Sequence, residues 1–344
     1  EFRPSVIDPS SDAARADVAA IDGNAMFRSE AVGASPLRAV VQRVLGRVLG
    51  RCPQVLVCFD NADAMPPLRA EVAKQRASRA ARHSQATPDE IRELRESGGR
   101  LPSKVTWEQL FAFSETKRLV FRLIFAEVRR QITVAGDAAG VVTVTDPSGG
   151  KAPWVFPADA TSPFTGVLTA QRYGEAEAQM VVAIRDRMAV VAAAGQPPPS
   201  VIVHTIDTDI LLQLLGIWTH NVRVCLSKAW VTGDGAQHRT KALSIKHNVA
   251  VRKNANGAKR IKLQAPTLMW KQYSMDRALE RYGPTRERVA NAQLWLLMAG
   301  GVDYCSGLGG FGWYKKTCLA NIRTYQCVEC GEGDALVLRL SKLA

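Results

Sequence analysis

Acidic residues stand where apolar runs stop, and this constrains the chain more than any other feature. Asp22 follows the apolar run at 18–21, Asp60 follows the run at 55–59, and Asp207 and Asp209 come soon after Val201, Ile202 and Val203. Short apolar runs of this kind read as strands. In an open parallel sheet their ends share one edge, and ligands bind there. Glu175 and Glu177, in Gly174-Glu-Ala-Glu-Ala-Gln179, and Asp303 bring the set to seven acids.

Carboxylates gathered around a common point raise one another's pKa values unless cations neutralise them, so their convergence implies bound metal. Oxygen ligands with no matching His or Cys cluster suit Mg²⁺ or Mn²⁺ better than Zn²⁺. Two such ions roughly 4 Å apart would clamp the attacking and leaving oxygens of a phosphodiester. The competing reading is a fold with scattered, solvated surface acids. Asp22 has its own alternative, since the following Gly23-Asn24 suits a turn; Asp63 reads as an exposed loop acid.

Strands and helices alternate along the chain. Ser35 as cap, Pro36 in the first turn, and Leu37, Val40, Val41, Val44, Leu45, Val48 and Leu49 predict an amphipathic helix ending at Gly50. With the strands ending at Asp22 and Asp60 on either side, this is a βαβ unit. A second unit follows, with a helix from about 174 to 193 and then the strand at Val201. Between them, Arg69, Lys74, Arg76, Arg79 and Arg82 are spaced along a helix, and a long helix is predicted over 106–130. The stretch from 131 to 173 reads as strands with loops. The fold class expected is α/β, a mostly parallel sheet flanked by helices.

The 344 residues carry 45 Lys and Arg against 32 Asp and Glu, a net charge of +13. If seven of those acids line a metal site, the remaining surface is more basic still, and a polyanion is the natural partner. Charge is concentrated between Gly235 and Met275, which holds no acid but includes Arg239, Lys241, Lys246, Arg252, Lys253, Lys259, Arg260, Lys262 and Lys271. Alternating segments at 242–245 and 248–251, with a turn at 254–257, suggest a basic hairpin for phosphate contact. A solvated loop or a targeting patch is the other reading of that stretch.

Seven cysteines, an odd number, with Cys58 inside an apolar strand, argue for reduced thiols in a reducing compartment. Cys327 and Cys330 have the spacing of half a zinc ribbon with no second half. Arg185, Asp186 and Arg187 interrupt the best candidate for a membrane span, so no membrane association is expected.

Four blocks in order carry a resemblance to the XPG and flap endonuclease family, structure-specific 5′ nucleases of the PIN-like superfamily. Phe59-Asp60 with Pro66-Pro67-Leu68-Arg69 and Ala73-Lys74-Gln75-Arg76 is similar to its internal motif. Gly174-Glu175-Ala176-Glu177-Ala178-Gln179 resembles its paired glutamates, and Asp207-Thr208-Asp209-Ile210-Leu211 its paired aspartates. Gly301-Val302-Asp303-Tyr304-Cys305 and Gly307-Leu308-Gly309-Gly310-Phe311-Gly312 resemble its last acid and its helix-hairpin-helix. About half the chain between these blocks is unmatched.

The resemblance implies a PIN-like, Rossmann-like twisted sheet with a helical arch and a C-terminal helix-hairpin-helix element. Residues 1–344 would form one nuclease domain, with the arch and an insertion over 61–173, a basic insertion over 217–288 and the hairpin element over 290–326. It also implies hydrolysis of phosphodiesters at flaps or junctions of DNA by two Mg²⁺ ions held by the seven acids, with Mn²⁺ as a substitute. Arg76 and Arg69 would face the phosphate, and Lys74 would add charge. Gly310, Gly312, Lys315 and Lys316 would grip duplex backbone, with K⁺ possible at that turn, and Arg252, Lys253, Lys259 and Arg260 would extend the grip. Departures exist: Arg69 replaces a usual lysine, Trp313 a usual proline and Lys316 a small residue, and the family's Met-Gly opening is missing. No sliding-clamp motif follows the hairpin, so that partner is not expected. The alternatives are a junction resolvase or 5′-exonuclease, with RNA as a possible substrate, and a non-catalytic nucleic-acid-binding or assembly protein that keeps the nuclease fold. The compartment expected is the nucleus, then a mitochondrion or other organelle.

Overall fold

The computed structural model describes residues 5–7, 14–61, 74, 76–78, 80–148, 152–170, 174–207, 209–216, 220–231, 237–238 and 267–277. In chain order its elements are β1 (Ser5–Ile7), β2 (Val18–Asp22), α1 (Gly23–Glu30), α2 (Leu37–Leu45), β3 (Gln54–Cys58), α3 (Pro88–Glu96), α4 (Trp107–Ala112) and α5 (Ser114–Ala135). Then come β4 (Val141–Val144), β5 (Trp154–Phe156), α6 (Thr165–Ala170), α7 (Ala176–Ala193), β6 (Val201–His204), α8 (Asp209–Gly216), β7 (Val222–Val231), β8 (Gln237–His238) and β9 (Thr267–Ser274).

Among the described residues the strands form one nine-stranded sheet in the order β1-β9-β7-β6-β2-β3-β4-β5, with β8 paired to β7. The centre, β7-β6-β2-β3-β4, is parallel, and the flanking pairs are antiparallel. Strand residues alternate between faces, so each strand feeds two cores. Ala19, Ile21, Val55, Val57, Val142 and Ile202 join the helices α1 to α5 on one side. Val18, Ala20, Leu56, Cys58, Val201 and Val203 join α7 and α8 on the other. Cover on both faces explains why β2 and β3 read as continuous apolar runs rather than alternating ones. The α/β expectation is met at this level.

Connectivity positions the site. From β2 the chain steps outward to β3 and β4, then returns to β6 on the other side of β2 and steps outward again to β7. The order of strands therefore reverses between β2 and β6, and a crevice opens there beyond their carboxyl ends. Ile21 pairs with His204 and Asp22 with Cys58, so the three strands end level with one another.

Several local expectations are corrected. α2 begins at Leu37 with Pro36 as a cap that makes no side-chain bond, and it stops at Leu45 before Gly46, not at Gly50. Glycine weakens helix propagation, and the chain turns through 46–50 while keeping Val48 buried. The helix predicted over 106–130 is two helices. Phe113 is extended at φ −107° and ψ 136°, and the Thr116 hydroxyl donates to Leu110 O at 2.7 Å across the break. Gly23-Asn24 is not a turn but the first turn of α1. Arg82 lies in a turn beyond the helical residues around Arg76. The region 131–173 contains the helix α6 besides its strands.

The basic stretch 239–266 and the Cys327–Cys330 pair lie outside the described residues. The strands β7 and β9 on either side of that stretch pair antiparallel and belong to the sheet. Cys52, Cys58 and Cys225 are buried free thiols. Among the described residues no helix is long and apolar enough to cross a membrane.

Candidate functional site

Five of the seven expected acids come to the crevice from four segments. Asp22 ends β2, Asp60 lies two residues beyond β3, Asp207 follows β6, and Glu175 and Glu177 open α7. The backbone of Asp209 begins α8. Asp303, Arg69, Gly310, Gly312, Lys315, Lys316, Arg252, Lys253, Lys259 and Arg260 lie outside the described residues.

Asp22 is 3% exposed and fixed at both oxygens. Its Oδ1 accepts from the Ala25 amide at 2.9 Å, capping α1, and its Oδ2 accepts from the Thr205 hydroxyl at 3.0 Å. Gly23 is required immediately after it. A Cβ there would stand 2.8 Å from Cys58 O and 2.8 Å from the Phe59 ring, so only glycine lets the ends of β2 and β3 approach this closely.

Asp60 links β3 to α7. Its Oδ1 accepts from the Ala176 amide at 3.2 Å and its Oδ2 from the Asn24 side-chain amide at 2.5 Å. Gln179 Nε2 donates to Phe59 O at 2.9 Å and the Asn61 amide to Gly174 O at 2.6 Å, closing the same junction. Because Asp60 serves Ala176, Glu175 occupies the N-cap position of α7 without capping it by its side chain. On the other flank, Thr205 Oγ1 accepts from the Asp207 amide at 3.1 Å.

The electrostatics of this edge are unbalanced. Burial raises the Asp22 carboxyl to about 7; nearby Asp60 and Asp207 add to the rise, while the Ala25 and Thr205 hydrogen bonds oppose it. Glu177 is pushed to about 10, chiefly by burial and then by Asp207, Asp22, Glu175 and Asp60. This happens although Glu177 sits in the first turn of α7, where the helix dipole favours negative charge. Burial and four neighbouring carboxylates outweigh that contribution.

One cation near these acids, Lys117, is not among the expected site residues. Burial lowers the pKa of the Lys117 ammonium; Asp60 and Asp22 pull it up, while Arg76 and Arg28 push it further down. Its Nζ lies 5.7 Å from the centroid of Phe121, whose ring is 6.0 Å from that of Phe59, the residue before Asp60. Arg76, exposed, therefore acts at the same place as Lys117. Lys117 lies on the stripe of α5 that carries Val120, Phe121, Ile124 and Val128, and a lysine on an apolar stripe is the signal that sequence reading passed over. Thr205 and Asn24, which hold Asp22, Asp207 and Asp60, were missed as well, and short polar residues beside strand-end acids are ordinary in sequence.

Among the described residues no three His, Cys, Asp or Glu side chains are grouped closely enough to hold one ion. The described acids interact through charge rather than as a closed coordination shell. Their chemistry still suits hard divalent cations, being all carboxylate, and Asp22 and Glu177, raised first by burial and then by neighbouring acids, are carboxyls whose ionised form a bound cation would favour.

Fold and site together define an α/β protein with an acid-lined crevice at the topological switch point of its sheet. No protein-family model matches the chain, and no curated protein matches it.

Proposed function

We propose that the chain is a metal-dependent phosphodiester hydrolase, a structure-specific 5′ nuclease related to the XPG and flap endonucleases, acting on flapped or branched DNA. The observation that carries this reading is the assembly of Asp22, Asp60, Glu175, Glu177 and Asp207 from four separate segments at the switch point. Their order along the chain is the order of the motifs that suggested the family, and the PIN-like class, the helical arch and the helix-hairpin-helix are part of the same proposal.

These five acids, with Asp209 and Asp303, would hold Mg²⁺ or Mn²⁺. Divalent cations bound there would neutralise the carboxylates and supply Lewis-acid charge stabilisation to the phosphodiester. The chain's own contribution is positional. Thr205 and the first turn of α1 hold Asp22, Asn24 and the first turn of α7 hold Asp60, and Lys117 and Arg76 place positive charge beside Asp60 for an incoming phosphate. Lys74 is exposed nearby in the chain, and the net charge of +13 favours a polyanionic substrate.

A second reading has one observation in its favour. Asp22 and Asp60 each spend both oxygens on structural hydrogen bonds, as helix caps in a non-catalytic nucleic-acid-binding protein would. Cleavage of a 5′-labelled flap duplex in Mg²⁺, in EDTA and with Asp207→Asn decides between them. The nuclease reading requires metal-dependent cutting that the variant loses. Tight binding with no cutting of flap, four-way junction or RNA would establish the second.

A further inference from the structure

The exposed surface of α5 and the edge strand β5 form a feature that the acid cluster does not absorb. Arg118, Arg122 and Arg129 are all exposed, and at 3.6 residues per turn their spacings of 4 and 7 place them within an arc of about 40° on the helix, away from its buried stripe. The row runs for about 16 Å along the axis at 1.5 Å per residue. None of the three is paired with an acid among the described residues, whereas Arg130, off this row, bonds Glu127 at 2.6 Å.

Arg129 lies over two rings, its guanidinium carbon 5.1 Å from the centroid of Trp154 and 5.7 Å from that of Phe125. Trp154 and Phe156, on one face of β5, are 6.0 Å apart and only partly buried. An exposed arginine normally loses side-chain freedom on binding, and contact with two rings restrains this one beforehand. Phe125 continues inward to Phe59, 6.3 Å away, so the ledge adjoins the residue that precedes Asp60.

We propose that Arg118, Arg122 and Arg129, with the rings of Trp154 and Phe125, form a track for single-stranded nucleic acid running from the acid cluster to the β5 edge of the sheet. A straight row of unpaired guanidinium groups follows one sugar–phosphate strand, and planar side chains at its end accept unstacked bases without reading their sequence. The choice of nucleic acid as the occupant rests on the nuclease reading above.

The test is anisotropy of a fluorescein-labelled oligo(dT) with the whole chain in EDTA, over a series of KCl concentrations. Variants are the double substitution Arg118→Gln with Arg122→Gln, then Arg129→Gln, Trp154→Ala and Trp154→Phe, each checked by thermal melting. The double variant should bind about tenfold more weakly and lose about 1.4 from the slope of log affinity against log salt, at about 0.7 per phosphate contact. Trp154→Ala should cost about tenfold through lost stacking, with Trp154→Phe recovering most of it.

Wild-type affinity and slope in all variants would overturn the track, as would equal weakening towards a blunt duplex or displacement of the probe by poly(glutamate). Flap cleavage in Mg²⁺ separates this result from the nuclease reading. Ledge variants that cut with unchanged KM would leave the nuclease and remove the track. Ledge-dependent binding in a protein that cuts nothing would leave the track and remove the nuclease.

Discussion

Thr205 donates its hydroxyl to Asp22 Oδ2 at 3.0 Å and, through the same oxygen, accepts the Asp207 amide at 3.1 Å. One side chain therefore ties the acid ending β2 to the backbone of the acid following β6, across the point where the strand order reverses. Removing it with Thr205→Val should lower kcat of metal-dependent cleavage by 10- to 100-fold, the usual effect of losing a partner that orients a metal ligand. Thr205→Ser should retain most activity. Equal Mg²⁺ titration curves for wild type and Thr205→Val would defeat this account.

Stability should depend on pH in an unusual sense when metal is withheld. Asp22 rises from an ordinary 3.8 to about 7 on folding and Glu177 from 4.5 to about 10. The folded protein then retains protons that the unfolded chain releases, so their stabilising effect is complete below the unfolded values and is lost as pH climbs through the folded ones. In EDTA, Tm should fall between about pH 4 and 10, and Mg²⁺ should flatten the decline by binding the ionised form. A level curve in EDTA would mean that the acids ionise freely and need no cation.

Lys117→Met should reduce cleavage more than Lys117→Arg, with the loss in kcat rather than KM. Its ammonium stands beside Asp60 and Asp22, where phosphate charge would be balanced. Removing one donor aimed at developing transition-state charge costs about 100- to 1000-fold in kcat. Wild-type kcat in the methionine variant would assign Lys117 to packing on Phe121 alone.

Gly23→Ala is expected to do more damage to activity than to stability. The added methyl meets Cys58 O and the Phe59 ring at 2.8 Å, and forcing it in should cost about 1–3 kcal/mol by overpacking. The strand ends that carry Asp22 and Asp60 would be spread by the same intrusion. Gly166→Ala, where a Cβ meets nothing within 4 Å, is the control and should be neutral or slightly stabilising. Full cleavage by Gly23→Ala would show that the site tolerates the displacement.

Strand ends were legible because a buried parallel strand leaves a compact apolar run, and the acids beyond Ile21 and Phe59 mark where burial stops. The helix at Ala176–Ala193 was legible within two residues of its start for a similar reason, its apolar content being bounded by Gly174 and Gly195. The stop at Gly46 was not, because Val48 and Leu49 continue the helical spacing while packing from a turn. Nor was the break at Phe113, which depends on one hydroxyl reaching back to Leu110. At the site, residue types announced the acids, but their supports did not announce themselves. Thr205, Asn24 and Lys117 matter through neighbours 183, 36 and dozens of residues distant in sequence, and only the folded chain brings those together.

Asp60 caps α7, the helix that opens with Glu175 and Glu177, and is itself clamped by Asn24, two residues beyond Asp22. Losing Asp22 would free Thr205, which also holds the Asp207 amide, and losing Asp60 would free the start of the helix that carries Glu177. Multiple substitutions among them should therefore show strong epistasis, the second loss costing far less than the first, and alanine scanning here would measure the cooperativity of a unit rather than the worth of its members.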